Sequence, residues 1–254
     1  MTTRVMFISP AISTALREAR FATVEDVEAD IAASGTATSG TVTSGTAASG
    51  SAASGTATSR SDTTGTDSSR TGTGTSGIAT DVLDALDPLG LRQAEAVRES
   101  FPRTAALYVS PSARCRRTAE VLGLDAKPLP DLAPCAMGRW QGRTLDEVAA
   151  AEPESVAAWL SDPAVAPHGG ESLRTFHTRV ADWLDTLGSE TVAGGRVIAV
   201  AEPDVIRAAA VHALGAGPGS FWRIDIQPLS AVELSGRGGR WNLLGGRPLH
   251  TATP

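Results

Sequence analysis

Ser110-Pro111-Ser112-Ala113-Arg114-Cys115-Arg116-Arg117-Thr118-Ala119 follows directly on the apolar run Ala106-Leu107-Tyr108-Val109. The pair reads as a strand over 105–109 that ends on a turn and feeds a helix over 112–122, the repeating unit of a parallel α/β sheet. In this reading Ser110 supplies an N-cap hydroxyl and Pro111 takes the first helical position. Backbone N–H groups at such a helix start, with Arg114 one turn in, favour a phosphate or carboxylate.

The same alternation extends to both sides. Upstream, Val5 to Ile8 is a short buried strand stopped by Ser9-Pro10, and Ala11 to Ala22 begins as loop or short helix. Asp87 caps and Pro88 starts a helix whose Leu91, Ala94 and Val97 form an apolar stripe. Downstream, a loop with Gly138 and Gly142 bracketing Trp140 leads to helices over 144–151 and 154–160. Pro167 to Ser172 opens a helix carrying Leu173, Phe176, Val180, Trp183, Leu184 and Leu187 at helical spacing. Arg196 to Val200 is an apolar strand broken at Glu202-Pro203, and Val205 to Leu214 a helix. Phe221 to Ile226, Ser230 to Leu234 and Trp241 to Leu244 read as strands separated by turns at Pro228 and Gly236 to Gly239.

Between the first strand and the first capped helix the composition changes. From Ser34 the chain repeats in fives, Ser34-Gly35-Thr36-Ala37-Thr38 being the first copy, and the pattern fades through Gly77. Such a pentapeptide has no large side chains to offset about 1–2 kcal/mol per residue of backbone ordering, so 34–77 is expected to be a flexible insertion. The expected organisation is 1–33 for the first strand and its loop, 34–77 for the repeat, 78–245 for the rest of the domain, and 246–254 for a flexible tail.

The chain has 254 residues, 41% of them apolar, enough for one sizeable α/β domain with a core. A formal charge of -6, with no basic run longer than Arg116-Arg117, gives no footprint for nucleic acid. Cys115 and Cys135 lie in no ligand spacing, and two reduced thiols are expected rather than a disulfide or a metal site. No apolar stretch reaches 18 residues and the N-terminus lacks a signal-like run, so a cytoplasmic protein without membrane partners is expected. No cofactor is called for.

Five segments together resemble the histidine phosphatase superfamily, the phosphoglycerate mutase-like fold. They are Asp87-Pro88-Leu89-Gly90-Leu91-Arg92-Gln93-Ala94, Ser110-Pro111-x-x-Arg114-x-x-x-Thr118-Ala119, Gly138-x-Trp140-x-Gly142, Gly170-Glu171-Ser172 followed by Arg179, and the strand-turn-helix at 196–214. The Gly-x-Trp-x-Gly and Gly-Glu-Ser elements look most like the branch containing α-ribazole and broad-specificity phosphatases. The resemblance implies a three-layer α/β/α sandwich around a mostly parallel sheet. It also implies a pocket in which a histidine is phosphorylated, arginines bind phosphate, a glutamate protonates the leaving group and a second histidine completes the set.

Carried over position by position, that set is largely missing. The first-strand arginine and nucleophilic histidine fall on Ser9 and Pro10, the general acid on Pro134, and the second histidine on Glu202. Proline offers neither a nucleophile nor a proton. Arg114 alone of these five positions is retained, with Ser110, Glu171, Ser172 and His168 as an anion- or ligand-binding remnant. His168 reads as an exposed loop residue, His177 and His212 as helix residues, and His250 as part of the tail. Opposite Arg114, the Glu202 carboxylate would turn about 4 kcal/mol of attraction for phosphate into comparable repulsion, at 4 Å and an effective dielectric of 20. An Arg114–Glu202 ion pair in the phosphate position is therefore expected.

Loss of one essential group from a concerted catalytic set lowers rates by roughly 10⁴ to 10⁶. The leading expectation is an inactive member that binds a protein partner or a small cationic, zwitterionic or neutral ligand. The alternative is a phosphomonoester hydrolase, acting on α-ribazole phosphate or another small phosphoester, with Ser9, Ser13 or Cys135 as nucleophile and Glu202 or Asp204 as base. A third reading makes the repeat the functional element and the domain its carrier.

Overall fold

Alternation along the two central strands decides how the layers form. In the strand Thr3–Ile8 (β1), Val5 and Phe7 face one side of the sheet, and Met6 and Ile8 the other. In Arg196–Val200 (β4), Val197 and Ala199 join the first face, and Ile198 and Val200 the second. A strand apolar on both faces must be covered on both, which calls for helices above and below a parallel sheet. The computed structural model describes residues 2–21, 86–98, 101, 106–189 and 195–249. The repeat at 34–77 and His250 lie outside the described residues.

Six strands form one sheet in the order β3-β2-β4-β1-β5-β6, where β2 is Ala106–Val109, β3 Lys127–Pro128, β5 Ser230–Arg237 and β6 Arg240–Pro248. The pairs β2/β3, β2/β4 and β1/β4 are parallel; β1/β5 and β5/β6 are antiparallel. The fold is thus α/β with a mostly parallel central sheet, as expected. On one face pack α6 (Leu173–Ser189) and α7 (Pro203–Ala213), burying Phe176, Val180, Trp183, Leu184 and Leu187 against Val5, Phe7 and Val197. On the other lie α2 (Pro88–Ala96) and α3 (Ala113–Val121), which bury Ala94, Cys115 and Ala119 against Ile8, Val109, Ile198 and Val200. Helix α1 spans Thr14–Arg17, and α4 (Leu145–Ala151) and α5 (Pro153–Ser161) follow the Gly-x-Trp-x-Gly loop.

Asp87 caps α2 as its spacing predicts, accepting from Gly90 N at 2.8 Å with Pro88 at the helix start. The cap of α3 differs from expectation. Ser112, not Ser110, is the N-cap, its hydroxyl accepting from Cys115 N at 3.3 Å. The proline ring keeps the preceding Ser110 out of the helical region, and Ser110 continues the strand instead, donating its N–H to Val200 O at 2.8 Å. Phe221 to Ile226 is not a strand. A 3₁₀ turn occupies Pro218–Arg223 and buries Phe221 against Phe176. The tail begins later than residue 246, because Gly246, Arg247 and Pro248 pair with Val232, Ala231 and Ser230.

The parallel strands all end at one level. Ala201 N donates to Ile8 O at 3.0 Å and Ser110 N to Val200 O, so the turns after β1, β2 and β4 sit side by side. In open α/β sheets such a rim of strand ends is where ligands bind.

Candidate functional site

Two neighbouring turns on that rim bring Arg114 and Glu202 together. Arg114 lies in the first turn of α3, and Glu202 is the N-cap residue of α7, with extended backbone. Arg114 Nε donates to both Glu202 oxygens, at 2.7 and 2.8 Å, and Arg114 Nη2 donates to Oε2. Ser112, free to turn its hydroxyl hydrogen outward while capping α3, donates to Glu202 Oε1 at 2.6 Å. The pair is enclosed: Glu202 is 1% exposed and Arg114 9%. Burial works against the guanidinium charge, but the Glu202 charge and hydrogen bonds outweigh it and keep Arg114 protonated more firmly than an ordinary arginine. The Cys115 thiol beside them is held well above its usual range by burial and by Glu202.

Around this pair opens a cleft of about 250 Å³. Arg114, Glu202, Pro134 and Cys135 line it together with Asp204 and Arg207 of α7 and an aromatic wall of Phe21, Trp159, Phe221 and Trp222. Phe21 and Arg20 reach the cleft because residues 19–21 are pinned to the loop after Trp140: Phe21 N donates to Arg143 O, Gly142 N to Phe21 O, and Leu145 N to Ala19 O. Trp159 projects from α5 and meets Trp222 edge-on at 4.6 Å and Phe21 at 6.0 Å. Asp204 accepts from Cys135 N at 2.8 Å and from Val205 N at 2.7 Å. Burial, then the nearby Glu202 charge, pushes its carboxyl up to about 6.

The other sequence-predicted residues have structural employment. Ser9 is buried, donating its hydroxyl to Gln227 O at 2.5 Å and accepting from Ser230 N at 3.0 Å, and Pro10 O accepts from Leu229 N. Neither lines the cleft. Pro134 does. Ser13 caps α1 by accepting from Leu16 N. Glu171 turns away to pair with Arg179, Nε–Oε1 3.1 Å and Nη2–Oε2 2.8 Å, while Arg179 Nη1 donates to Asp131 O and Ala133 O. Ser172 accepts from Thr175 N at 3.1 Å at the start of α6. His168, expected to be exposed, is 1% exposed: its ring packs against Trp140 at 5.0 Å and its Nδ1 accepts from Gly170 N at 3.0 Å. Burial and the Arg139 charge lower its basicity. His177 and His212 sit on α6 and α7 with rings 6.1 Å apart, His212 Nε2 lying 3.1 Å from Asp185 Oδ1.

Chemically, the site is rich in binding surface and poor in activated nucleophiles. The Ser9 and Ser13 hydroxyls have backbone partners, and the Cys135 thiol is raised above its ordinary value by burial and by Asp204. No group of three metal-ligating side chains occurs among the described residues. Sequence reasoning missed Arg207 and the aromatic wall. Trp159 and Trp222 come from separate segments and meet only in the fold, so no local sequence signal marks the wall.

Residues 66–246 match the family described as the histidine phosphatase superfamily, branch 1. The chain belongs to that superfamily. Among curated proteins it is 33% identical over 159 residues to the bifunctional protein Rv2228c of Mycobacterium tuberculosis and to the uncharacterized protein Mb2253c of Mycobacterium bovis. Each match covers 58% of this chain and 43% of the relative, so the chain spans less than half the length of the curated relatives it matches. Similar solved structures include the α-ribazole phosphatase from Shigella flexneri, at TM-score 0.65 and 14% identity over 99% of both chains. A mycobacterial glucosyl-3-phosphoglycerate phosphatase, Rv2419c, follows at TM-score 0.62 and 20% identity over 100% of both. At these identities the structural likeness concerns the fold. The superfamily match begins at residue 66, so β1, with Ser9 and Pro10 directly after it, lies before the matched segment, yet it pairs in register between β4 and β5.

Proposed function

We propose that this histidine phosphatase superfamily member acts as a binding or regulatory pseudoenzyme, without the phosphohistidine mechanism, and takes a small ligand of no net negative charge into the cleft. The observation that carries this reading is the occupied state of Arg114. Both Glu202 oxygens face its guanidinium, and Ser112 adds a third donor, so the donors an incoming phosphate would need already hold a carboxylate. A phosphate placed there meets a charge that repels it by about 4 kcal/mol at 4 Å and an effective dielectric of 20. Pro10 and Pro134, at the positions the family resemblance assigns to nucleophile and acid, add nothing that could transfer a proton or a phosphoryl group.

One observation favours a second reading, a phosphomonoester hydrolase with non-standard residues. Asp204 is a cleft carboxyl that titrates near 6, a value suited to proton transfer at neutral pH. A turnover screen with p-nitrophenyl phosphate and α-ribazole phosphate decides between the two, with Arg114→Ala and Asp204→Asn as controls. The pseudoenzyme reading predicts no turnover above the buffer rate. Turnover abolished by either substitution would establish the hydrolase instead.

A further inference from the structure

Most charges at the cleft are already matched. Arg114 is held by Glu202, and Arg20 by Glu18 at 2.8 Å. Two groups on α7 are left over. Among the described residues the hydrogen-bond partners of Asp204 are the backbone N–H groups of Cys135 and Val205. Arg207 donates its Nε to Ile224 O at 2.7 Å and lies over the Phe221 ring at 5.7 Å, and among the described residues its terminal nitrogens have no partner. No ion pair joins the two, although three positions apart on a helix they are neighbours on one surface. Both line the cleft beside the wall of Phe21, Trp159 and Trp222.

We propose that the cleft is a site for a free α-amino acid with an aromatic or large apolar side chain, its ammonium on Asp204, its carboxylate on Arg207 and its side chain against the aromatic wall. This rests on the non-phosphatase reading above. An α-amino acid carries both charges on a single carbon, a spacing that two side chains one helical turn apart can clasp together. Each single-charge competitor is penalised: an anion would meet Arg207 but also Asp204 and Glu202, and a cation would meet Asp204 but also Arg207. A volume of about 250 Å³ suits a metabolite of this size. Arg207 is held in place beforehand by Phe221 and the Ile224 carbonyl, which lowers the ordering cost of the contact.

The test is calorimetric titration of the full chain with L-phenylalanine, followed in parallel by the fluorescence of the cleft tryptophans, and repeated with L-leucine and L-tryptophan by calorimetry. Phenethylamine, which lacks the carboxylate, and 3-phenylpropionate, which lacks the ammonium, serve as half-ligands. Saturable one-to-one binding of L-phenylalanine is expected, with each half-ligand weaker by at least about tenfold. Asp204→Asn and Arg207→Gln should each weaken it by about tenfold to a hundredfold while the melting transition stays cooperative. No saturable binding of any of the three amino acids, or a half-ligand that binds as well as the whole, overturns the proposal. Inorganic phosphate titrated into the same protein separates the two levels. Silence from both ligands defeats the amino-acid assignment alone, whereas saturable phosphate binding defeats the underlying reading and this proposal with it.

Discussion

Glu202 sets a buried carboxylate against the Arg114 guanidinium. Taking two ions out of water is costly, and the pair persists because Glu202 is surrounded by donors: Arg114 twice over and the Ser112 hydroxyl. Breaking it should leave an uncompensated buried charge. Glu202→Leu or Arg114→Met alone is expected to lower stability by about 3–5 kcal/mol in urea unfolding, while the double variant recovers most of that loss. Additive losses would mean that the two residues act independently. Asp204 makes the opposite prediction for pH. Its folded-state carboxyl titrates at about 6, above the value of an exposed aspartate, so between about pH 4 and pH 6 the folded chain holds a proton that the unfolded chain has released. Burial sets this first and the Glu202 charge adds to it, while the amides of Cys135 and Val205 and the Arg114 charge act against it. Its contribution to stability is therefore present at low pH and falls by about 2–3 kcal/mol as pH rises through 6. Asp204→Asn should remove that fall, measured as the difference between variant and wild-type unfolding curves at pH 4.5 and 7.5. The family resemblance places Arg114 and Glu202 at one pocket, which is what made their pairing an expectation, and in the structure the guanidinium and the carboxylate are joined. The burial of His168 was not legible in the sequence, since it depends on Trp140 and the loop backbone folding over it.

At the scale of elements, two glycine loops position the cleft. A Cβ on Gly170 would overlap the Ala136 carbonyl, and one on Gly138 the His168 carbonyl; Gly138 also has a φ of 49°. The Gly-x-Trp-x-Gly and Gly-Glu-Ser segments thus lie backbone to backbone, and Arg179 ties the Gly-Glu-Ser segment to the turn carrying Pro134. Gly170→Ala is expected to cost at least about 2 kcal/mol and to disturb the environment of Trp140, read by urea unfolding and near-ultraviolet circular dichroism. An unchanged midpoint would contradict the close approach. Glycine spacing made these loops visible in the sequence. Their partnership was not visible, because a contact between two backbones leaves no residue-type signature beyond the glycines. The helix start at Asp87 was legible from cap chemistry, whereas the helix expected over 144–151 starts at Leu145 behind a Thr144–Glu147 capping box. The run from Phe221 to Ile226 is misleading because Phe221 enters the core from a 3₁₀ turn and Ile224 and Ile226 pack on it from the stretch that follows, a composition that mimics a strand.

At the scale of the molecule, the sheet depends on a strand far from most of its partners in sequence. β1 lies at the centre of the parallel-to-antiparallel junction, bonded to β4 on one side and β5 on the other, and Phe7, Ile8 and Val5 are buried in the two core layers. Deleting residues 1–13 should abolish cooperative unfolding, although these residues precede the segment that matches the superfamily. A sharp thermal transition in the truncated chain would show that β1 is dispensable. Among the described residues no helix is long and apolar enough to cross a membrane. The α/β architecture was readable from the strand-helix alternation; the antiparallel edge was readable only as a pair of strands, because nothing in Ser230 to Leu234 says which neighbour it will choose. The proposed function rests on what the rim of that sheet presents, and inorganic phosphate titration followed by ³¹P NMR tests it most directly. Wild type is predicted to show no saturable binding, Glu202→Ala to gain it in the millimolar range, and Arg114→Ala/Glu202→Ala to lose it again. Saturable phosphate binding by the wild-type chain, removed by Arg114→Ala, would contradict the account.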